Sequence, residues 1–521
     1  MPVLHDPSSR PRRNRLAGLL TALVALAGPL GAQLAPDGDD FQVNTYTTGN
    51  SVSSDVAAAP SGDFVVVWDS YGSSGTDSSS YAVLGQRFAP DGSPVAGEFQ
   101  VNTGTTGEQV NPRVAMNSQG DFVVAWQSRD EAADEDYCIR AQRYRADGSV
   151  LGAEIQVNAY TTGSQADPEL VLRADGGFAV VWTSEGSFGS DDDGTSGQVR
   201  LFNADGSPVS DEAQTNFNKS GAQRALSAAL QPSGTLVVAW HDSDGFGSDP
   251  DGAIVARFVG TGGFALGNEF LVNSGTAGDQ NEVAVAAMDD GEVIFAWESL
   301  ASAGTDSSGQ SIQGRRFSEF GSAIGDDFQV NSDTTGDQDG PAVAVDGSGD
   351  FLVAWTSEEA EGDGDGSVQG AYFSASGAAI GGQFQINAYT TGLQRGPDVA
   401  TDGDGRFVVS WNSLGSSGTD TSDGSVQARF FENPEVSGLV FLDQDFDGIR
   451  DDGETPVEGV AVNLYDADDG SLLDTTTTDS AGAYIFEDRN GDFSVEFELP
   501  GPYVFTFQDR GGDDAVDSDV D

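Results

Sequence analysis

Five carboxylates crowd one short stretch of this 521-residue chain: Asp443, Asp445, Asp447, Asp451 and Glu454, with Gly448 among them. Counted from Asp443, they take positions 1, 3, 5, 9 and 12 of a twelve-residue loop, and Gly448 takes position 6, where the backbone turns sharply. Calcium is a hard cation that takes six to eight oxygens, and these side chains, the Ile449 carbonyl and a water supply them. Without a cation the carboxylates repel one another, by roughly 1 kcal/mol per pair 4 Å apart in water and by more where water is excluded. The spacing therefore predicts a calcium site rather than a solvated acidic hairpin. Arg450 stands where an apolar residue is usual, and no helical pattern flanks the loop, so it is not an EF-hand.

Other chemistry is thinly supplied. His241 is the only histidine beyond the first 32 residues, so a two-histidine zinc site is excluded and a Ser-His-Asp triad would have to run through it. It follows Trp240 at a strand end and reads as a polar loop residue. Cys138 starts a strand beside Glu135 and Asp136, which disfavour a thiolate. Lys219, in Asn218-Lys219-Ser220-Gly221, reads as a solvated loop residue. Carboxylate pairs for glycoside hydrolysis are everywhere, and that abundance makes any chosen pair uninformative. The chain reads as a non-enzyme. Acidic loops at 130–136, 191–193, 242–251 and 358–365, with Asp420 and Asp423, form either a ligand-presenting face or a solubilising one.

The elements that position these residues follow from composition and period. Acidic side chains number 84 against 23 basic, a formal charge of −61. That balance excludes a nucleic-acid partner, which needs clustered Lys and Arg, and favours cations. Residues 1–32 read as a cleavable export signal. Arg10, Arg12, Arg13 and Arg15 precede the apolar run 16–27, and small residues follow at 29–32. Twelve apolar residues fall short of the ~20 that span a bilayer, so no membrane span is expected.

All seven tryptophans fall on one period, at 68, 126, 182, 240, 297, 355 and 411. Each ends an apolar run such as Phe64-Val65-Val66-Val67-Trp68, the pattern of a buried strand. Around the first Trp the strand-sized pieces are 55–59, 63–70, 81–88 and 95–102, with hairpin chemistry at Pro60-Ser61-Gly62 and Pro90-Asp91-Gly92. Four antiparallel strands, seven times over, predict an all-β, seven-bladed β-propeller over residues 33–435, with an open β-solenoid as the competing architecture. The seventh unit has three strands (398–400, 406–412 and 425–431). The chain opens with an orphan fourth strand, Phe41-Gln42-Val43-Asn44, which is expected to close the last blade and so remove two exposed edges.

The repeats "FQVNTYTTG", "GDFVVVWDS" and "GQRF" resemble the tryptophan-containing propeller repeats of large secreted bacterial surface proteins. Sialidase-type Asp-boxes and integrin-type FG-GAP loops fit poorly: Val65 stands at the Asp-box glycine, and Asp402-Gly403-Asp404-Gly405 is too short for a calcium loop. Residues 436–521 are different. Gly438-Leu439-Val440-Phe441-Leu442 before the acidic loop, Val460-Ala461-Val462-Asn463-Leu464-Tyr465 after it, and Ala483-Tyr484-Ile485-Phe486 resemble the B-type repeat of serine–aspartate-repeat surface adhesins. That resemblance implies an Ig-like or prealbumin-like, calcium-binding β-sandwich. It also implies a second calcium position at Asp513, Asp514, Asp517 and Asp519, which by themselves read equally as an acidic tail. The family's closing strand is missing here, so a truncated module is expected. The expected function is that of an exported, surface-associated binding or adhesion protein, its propeller presenting a glycan or protein ligand and its calcium-stiffened sandwich acting as spacer. The alternatives are a secreted carbohydrate-active enzyme using propeller carboxylates and a purely structural array element.

Overall fold

The computed structural model describes residues 21–24, 34–72, 75–77, 80–129, 136–186, 189, 191, 193–300, 303–306, 308–358, 366–420, 424–432, 436–442, 455–466, 470–486 and 493–498. No helix occurs among them. The chain divides into two compact units, Gln33–Glu432 and Asn433–Asp521 with Met1–Ala32.

Within Gln33–Glu432 the strands form seven four-stranded antiparallel sheets, each holding one Trp on its second strand. In the Trp68 sheet the strands are Ser51–Ala58, Phe64–Tyr71, Tyr81–Phe88 and Pro94–Gln100, in spatial order. The predicted turns are there: Gly62 N–H reaches the Ala59 carbonyl and Gly92 N–H the Ala89 carbonyl. Both glycines have φ near +80°, which a Cβ would oppose. The Trp411 sheet takes Gln394–Thr401, Arg406–Ser413 and Ser425–Glu432 from the end of the unit and Ala35–Gln42 from its start. Phe41 pairs with Ala428 and Gln42 with Gln427. The pairing partner is the one expected for Phe41–Asn44, but the strand starts six residues earlier and stops at Gln42. A bulge between Asp37 and Phe41 lets so polar a segment follow the edge.

Apolar runs rather than alternation mark the second strands because both faces of each sheet are buried. Ala57, Val65, Val67 and Val83 of the Trp68 sheet pack on Val114, Phe122, Val124 and Trp126 of the next. From the other face Val56, Phe64, Val66 and Trp68 pack on Val408, Val426 and Phe430 of the Trp411 sheet. All seven tryptophans are fully buried (0% exposed), as their place at the end of an apolar strand requires. Four of them donate Nε1–H to a glutamine seventeen residues earlier: Trp126 to Gln109 (3.0 Å), Trp182 to Gln165 (2.9 Å), Trp355 to Gln338 (2.8 Å) and Trp411 to Gln394 (3.0 Å). At Trp68 that place is Ser51, and the indole N–H has no partner among the described residues.

Arginine, scarce in the composition, staples neighbouring sheets. Arg200, Arg257, Arg315 and Arg429 each send Nη1 to a backbone carbonyl of the preceding sheet, those of Val157, Thr215, Val272 and Ile386, at 2.7–2.9 Å. A fourth-strand carboxylate makes a matching contact. Glu98 accepts Thr45 and Tyr46 N–H, Glu212 accepts Ala159 and Tyr160 N–H, Asp327 accepts Ser274 and Gly275 N–H, and Asp40 accepts Ala388 and Tyr389 N–H.

Every first strand carries a bulge fifteen residues before its Trp, at Ser53, Asn111, Asp167, Ala225, Glu282, Gly340 and Gly396, all with φ of 42–60°. The polar stretch Ser51–Ser54 therefore belongs to the strand, which begins four residues before the predicted Asp55. At four of the bulges the N–H is caught by the residue that follows Trp in the preceding sheet, Gly396 by Thr356 Oγ1 at 3.0 Å among them. Asn111 N–H goes to Asp69 Oδ1 (3.2 Å), Asp167 N–H to Gln127 Oε1 (2.9 Å) and Gly340 N–H to Glu298 Oε1 (2.6 Å).

In the second unit Val436–Leu442 pairs with Ala483–Phe486, Thr455–Pro456 and Thr21–Val24, while Ala461–Asp466 pairs with Leu472–Thr477 and Phe493–Glu498. Val440, Val460, Val462, Leu464, Tyr484, Phe486 and Phe497 form one buried cluster contributed by both sheets.

Candidate functional site

Asp443, Asp445, Asp447, Ile449, Asp451 and Glu454 lie outside the described residues, as do Asp513, Asp514, Asp517 and Asp519. Both ends of the first loop are described. Phe441 pairs with Pro456 and Leu442 with Thr455, so the residues flanking 443–454 are paired in antiparallel register. Among the described residues no cluster of three or more His, Cys, Asp or Glu side chains is arranged to hold a metal ion.

Part of the acidity of the larger unit turns inward. The Asn of each Phe-Gln-Val-Asn-type segment is buried, and among the described residues its Nδ2 donates in five sheets to a carboxylate in the loop after the second strand. Asn102 reaches Asp77 (2.8 Å), Asn216 Asp191 (2.6 Å), Asn273 Asp249 (2.6 Å), Asn331 Asp306 (2.8 Å) and Asn44 Asp420 (2.7 Å). These aspartates are 0–7% exposed. Part of the acidic face expected from sequence is thus an internal latch that pins a long loop to the next strand.

His241 is not a loop residue. It lies within strand Leu236–Asp242 and is buried, with Nε2 3.1 Å from Asp279 Oδ1, while Arg224 Nε donates to Nδ1 at 3.4 Å. Burial is the main cause that lowers its pKa below the ordinary value, and Asp279 opposes it. With Nδ1 accepting and Nε2 engaged, the ring has no nitrogen left to act as a base. Cys138 begins its strand as expected, half-buried, with Sγ 3.4 Å from the Ser128 carbonyl. Lys219 is exposed in its loop.

A further convergence of charge has no counterpart among the sequence expectations. Two residues after each bulge, side chains of the seven first strands face a common cavity of about 580 Å³. The series is Asp55, Arg113, Glu169, Ser227, Ala284, Ala342 and Asp398, each thirteen residues before a Trp. Arg113 Nε lies 2.7 Å from Glu169 Oε1 and 3.6 Å from Asp55 Oδ1, joining three sheets. Asp398 Oδ2 accepts Val56 N–H (2.8 Å), Asp55 Oδ2 accepts Val114 N–H (2.5 Å) and Ser227 Oγ accepts Val285 N–H (3.1 Å). Burial, reinforced by Asp398, pushes Asp55 well above the ordinary carboxylate range, and burial likewise raises Asp398 and Glu169. Burial opposes the charge on Arg113, but Glu169 and Asp55 more than offset it and hold the guanidinium protonated. The legible signal was one column of the repeat: the same place before every Trp, filled by charge in four sheets and by Ser or Ala in three.

Comparison with known proteins bears on the second unit. Residues 435–521 match the family model of the SdrD B-like domain. The serine-aspartate repeat-containing protein F of Staphylococcus epidermidis is 37% identical over 124 residues, which is 23% of this chain and 7% of that protein. The fibrinogen-binding protein of the same species is 36% identical over 135 residues, 25% of this chain and 12% of that one. Serine-aspartate repeat-containing protein C of Staphylococcus aureus is 40% identical over 125 residues, 23% of this chain and 12% of that protein. The chain thus spans 7–12% of the length of these relatives. Solved structures similar to the chain include a protein of unknown function from Dyadobacter fermentans (12% identity, 77% of this chain and 100% of that one, TM-score 0.45). An α-L-arabinofuranosidase from Fusarium graminearum is similar to the same degree (11% identity, 76% and 98%, TM-score 0.44). At these similarities neither bears on activity or ligand.

Proposed function

We propose that this chain is an exported, surface-associated binding or adhesion protein, with a closed seven-bladed β-propeller as ligand-presenting scaffold and a calcium-stabilised B-type β-sandwich as spacer. The observation that carries the adhesive reading is the match of residues 435–521 to the SdrD B-like domain, together with the likeness to a fibrinogen-binding protein. Closure is supported by the pairing of Ala35–Gln42 with Ser425–Glu432 and by the core shared between the Trp411 and Trp68 sheets. The calcium reading rests on the carboxylate spacing of Asp443 to Glu454 and on the antiparallel register of the residues that flank it.

A non-enzymatic role fits the engaged state of the groups that catalysis would need. Asp55 and Asp398 accept backbone amides, Glu169 is held by Arg113, and His241 has both nitrogens occupied. Protein or glycan ligands rich in oxygen suit the acidic loop face, with calcium as bridge. The test is a binding array of extracellular-matrix proteins and glycans, probed with the full chain with and without EDTA. Retention on a restricted set of spots, with calcium-dependent stiffness but an intact scaffold, is expected. Uniform absence of binding, or turnover of a polysaccharide in a parallel activity screen, overturns the reading.

A further inference from the structure

The central cavity is lopsided, and the imbalance is chemical as well as steric. On the Trp297 and Trp355 sheets the lining is small and apolar at Ala284, Pro341, Ala342 and Val343, with the exposed carboxylate of Glu282 at the bulge two residues before Ala284; the opposite wall carries Asp55, Arg113, Glu169 and Asp398. The short side chains of the first wall are what leave the space. At about 580 Å³ it falls within the ~300–1,000 Å³ of ordinary ligand pockets. Its lining holds five carboxylates against two guanidiniums. Arg113 is already spent on Glu169 and Asp55. Asp167, Glu282 and Asp398 form no ion pair within 4 Å among the described residues. Arg224 is the other cation, and its Nε is turned to His241.

We propose that this cavity is a docking site for one basic side chain, a lysine or arginine carried on an exposed loop of a partner polypeptide. The alkyl stem lies along Ala284 and Ala342, and the cationic head reaches Glu282 and Asp398. Long basic side chains bury their methylene stems on apolar surface while presenting the charge to acceptors, and this cavity offers both halves in the same space. A cation arriving there also offsets the burial that pushes Glu282, Asp55 and Asp398 toward their neutral forms. The site lies at the inner strands and is separate from the ligand face proposed on the acidic loops, so either assignment can fail without the other.

The test is calorimetric titration of the full chain with three blocked hexapeptides of glycine and serine that differ at one central residue: lysine, arginine or norleucine. Butylamine serves as a fourth probe. The lysine or arginine peptide should bind at least tenfold more tightly than the norleucine peptide. Glu282→Gln should lose most of that preference. Ala284→Leu, which fills the apolar wall and changes no charge, should abolish binding while leaving tryptophan fluorescence native; Ala342→Leu is the second variant if the first does not fold. Equal binding of norleucine and lysine peptides overturns the proposal. So does binding that survives both leucine variants, since a highly anionic surface attracts cations without any site. Butylamine binding as tightly as the lysine peptide gives the cavity to free amines and overturns the polypeptide assignment.

Discussion

Glu298 offers the sharpest test of how this scaffold is held together. It follows Trp297, is 4% exposed, and uses Oε1 to accept the bulge N–H of Gly340 in the next sheet at 2.6 Å, while Oε2 accepts Gln310 Nε2 at 3.0 Å. Burial first, then the nearby charges of Glu282 and Asp339, pushes its pKa from the ordinary 4.5 up to about 8. A carboxyl whose pKa is higher folded than unfolded contributes stability that is fully present below the unfolded value and is lost as pH rises through the folded one. Each tenfold difference in proton affinity is worth ~1.36 kcal/mol, so ionising Glu298 is expected to remove on the order of 4–5 kcal/mol between pH 4 and pH 9. Glu298→Gln keeps an acceptor for Gly340 and cannot ionise. The assay is urea unfolding followed by tryptophan fluorescence, which reports on Gln33–Glu432 alone because all seven tryptophans lie there. At pH 5 the variant should be within ~1 kcal/mol of the parent, and at pH 9 it should be the more stable by several. A difference that stays flat across that range would falsify the burial of an ionisable Glu298 at the sheet–sheet contact.

Removing residues 33–42 should lower the melting temperature of the larger unit and shift its m-value, because it strips the fourth strand from the Trp411 sheet and exposes Phe430; an unchanged melt refutes the pairing. Trp126→Phe should cost about 1–3 kcal/mol more than Trp68→Phe, since only the former leaves a buried glutamine, Gln109, without its donor. Equal costs in fluorescence-detected unfolding would show that the indole hydrogen bond contributes nothing. Calcium at about 100 times its Kd should stabilise the second unit by roughly 2.7 kcal/mol, and Asp445→Ala or Glu454→Gln should erase that gain without moving the first unit's transition. Identical calorimetric traces in calcium and in EDTA would sink the site.

What could be read from sequence was whatever repeats with the same residue type. The Trp period, the apolar run before it and the glycine turns recur because burial on both sheet faces and positive φ leave few alternatives. The orphan Phe-Gln-Val-Asn segment could be assigned to the Trp411 sheet for the same reason. The bulge was hidden because its residues share a backbone conformation, not a chemical type: Ser, Asn, Asp, Ala and Glu occupy the left-handed region alongside two glycines. The cavity charges were hidden for the opposite reason. Asp55, Arg113, Glu169 and Asp398 are unlike one another and become a set only when strands more than fifty residues apart are laid side by side. His241 was misplaced because a polar residue after Trp looks like a strand end, whereas the strand runs on to Asp242 and the ring is engaged by Arg224 and Asp279. The acidic loops misled in part, since an aspartate latched to a buried asparagine cannot be told by sequence from one in solvent.

The pairing of Ala35–Gln42 with Ser425–Glu432 has a kinetic side. Ala35–Gln42 is synthesised early, yet its partner Ser425–Glu432 follows nearly four hundred residues later. Until then the leading strand has no native edge to join, and Phe41 and Val43 lack the pocket formed by Phe430, Val426 and Phe88. Contacts so distant in sequence form slowly, and unpaired strand edges are prone to aggregate while they wait. The final locking step is thereby deferred until nearly all of the unit has been synthesised. A polar, acidic leading strand is well suited to that delay: charge keeps it soluble and apart from other chains. Pulse proteolysis of ribosome-stalled chains of increasing length should find residues 35–42 cleavable until residue 432 has emerged from the ribosome, and protected soon after.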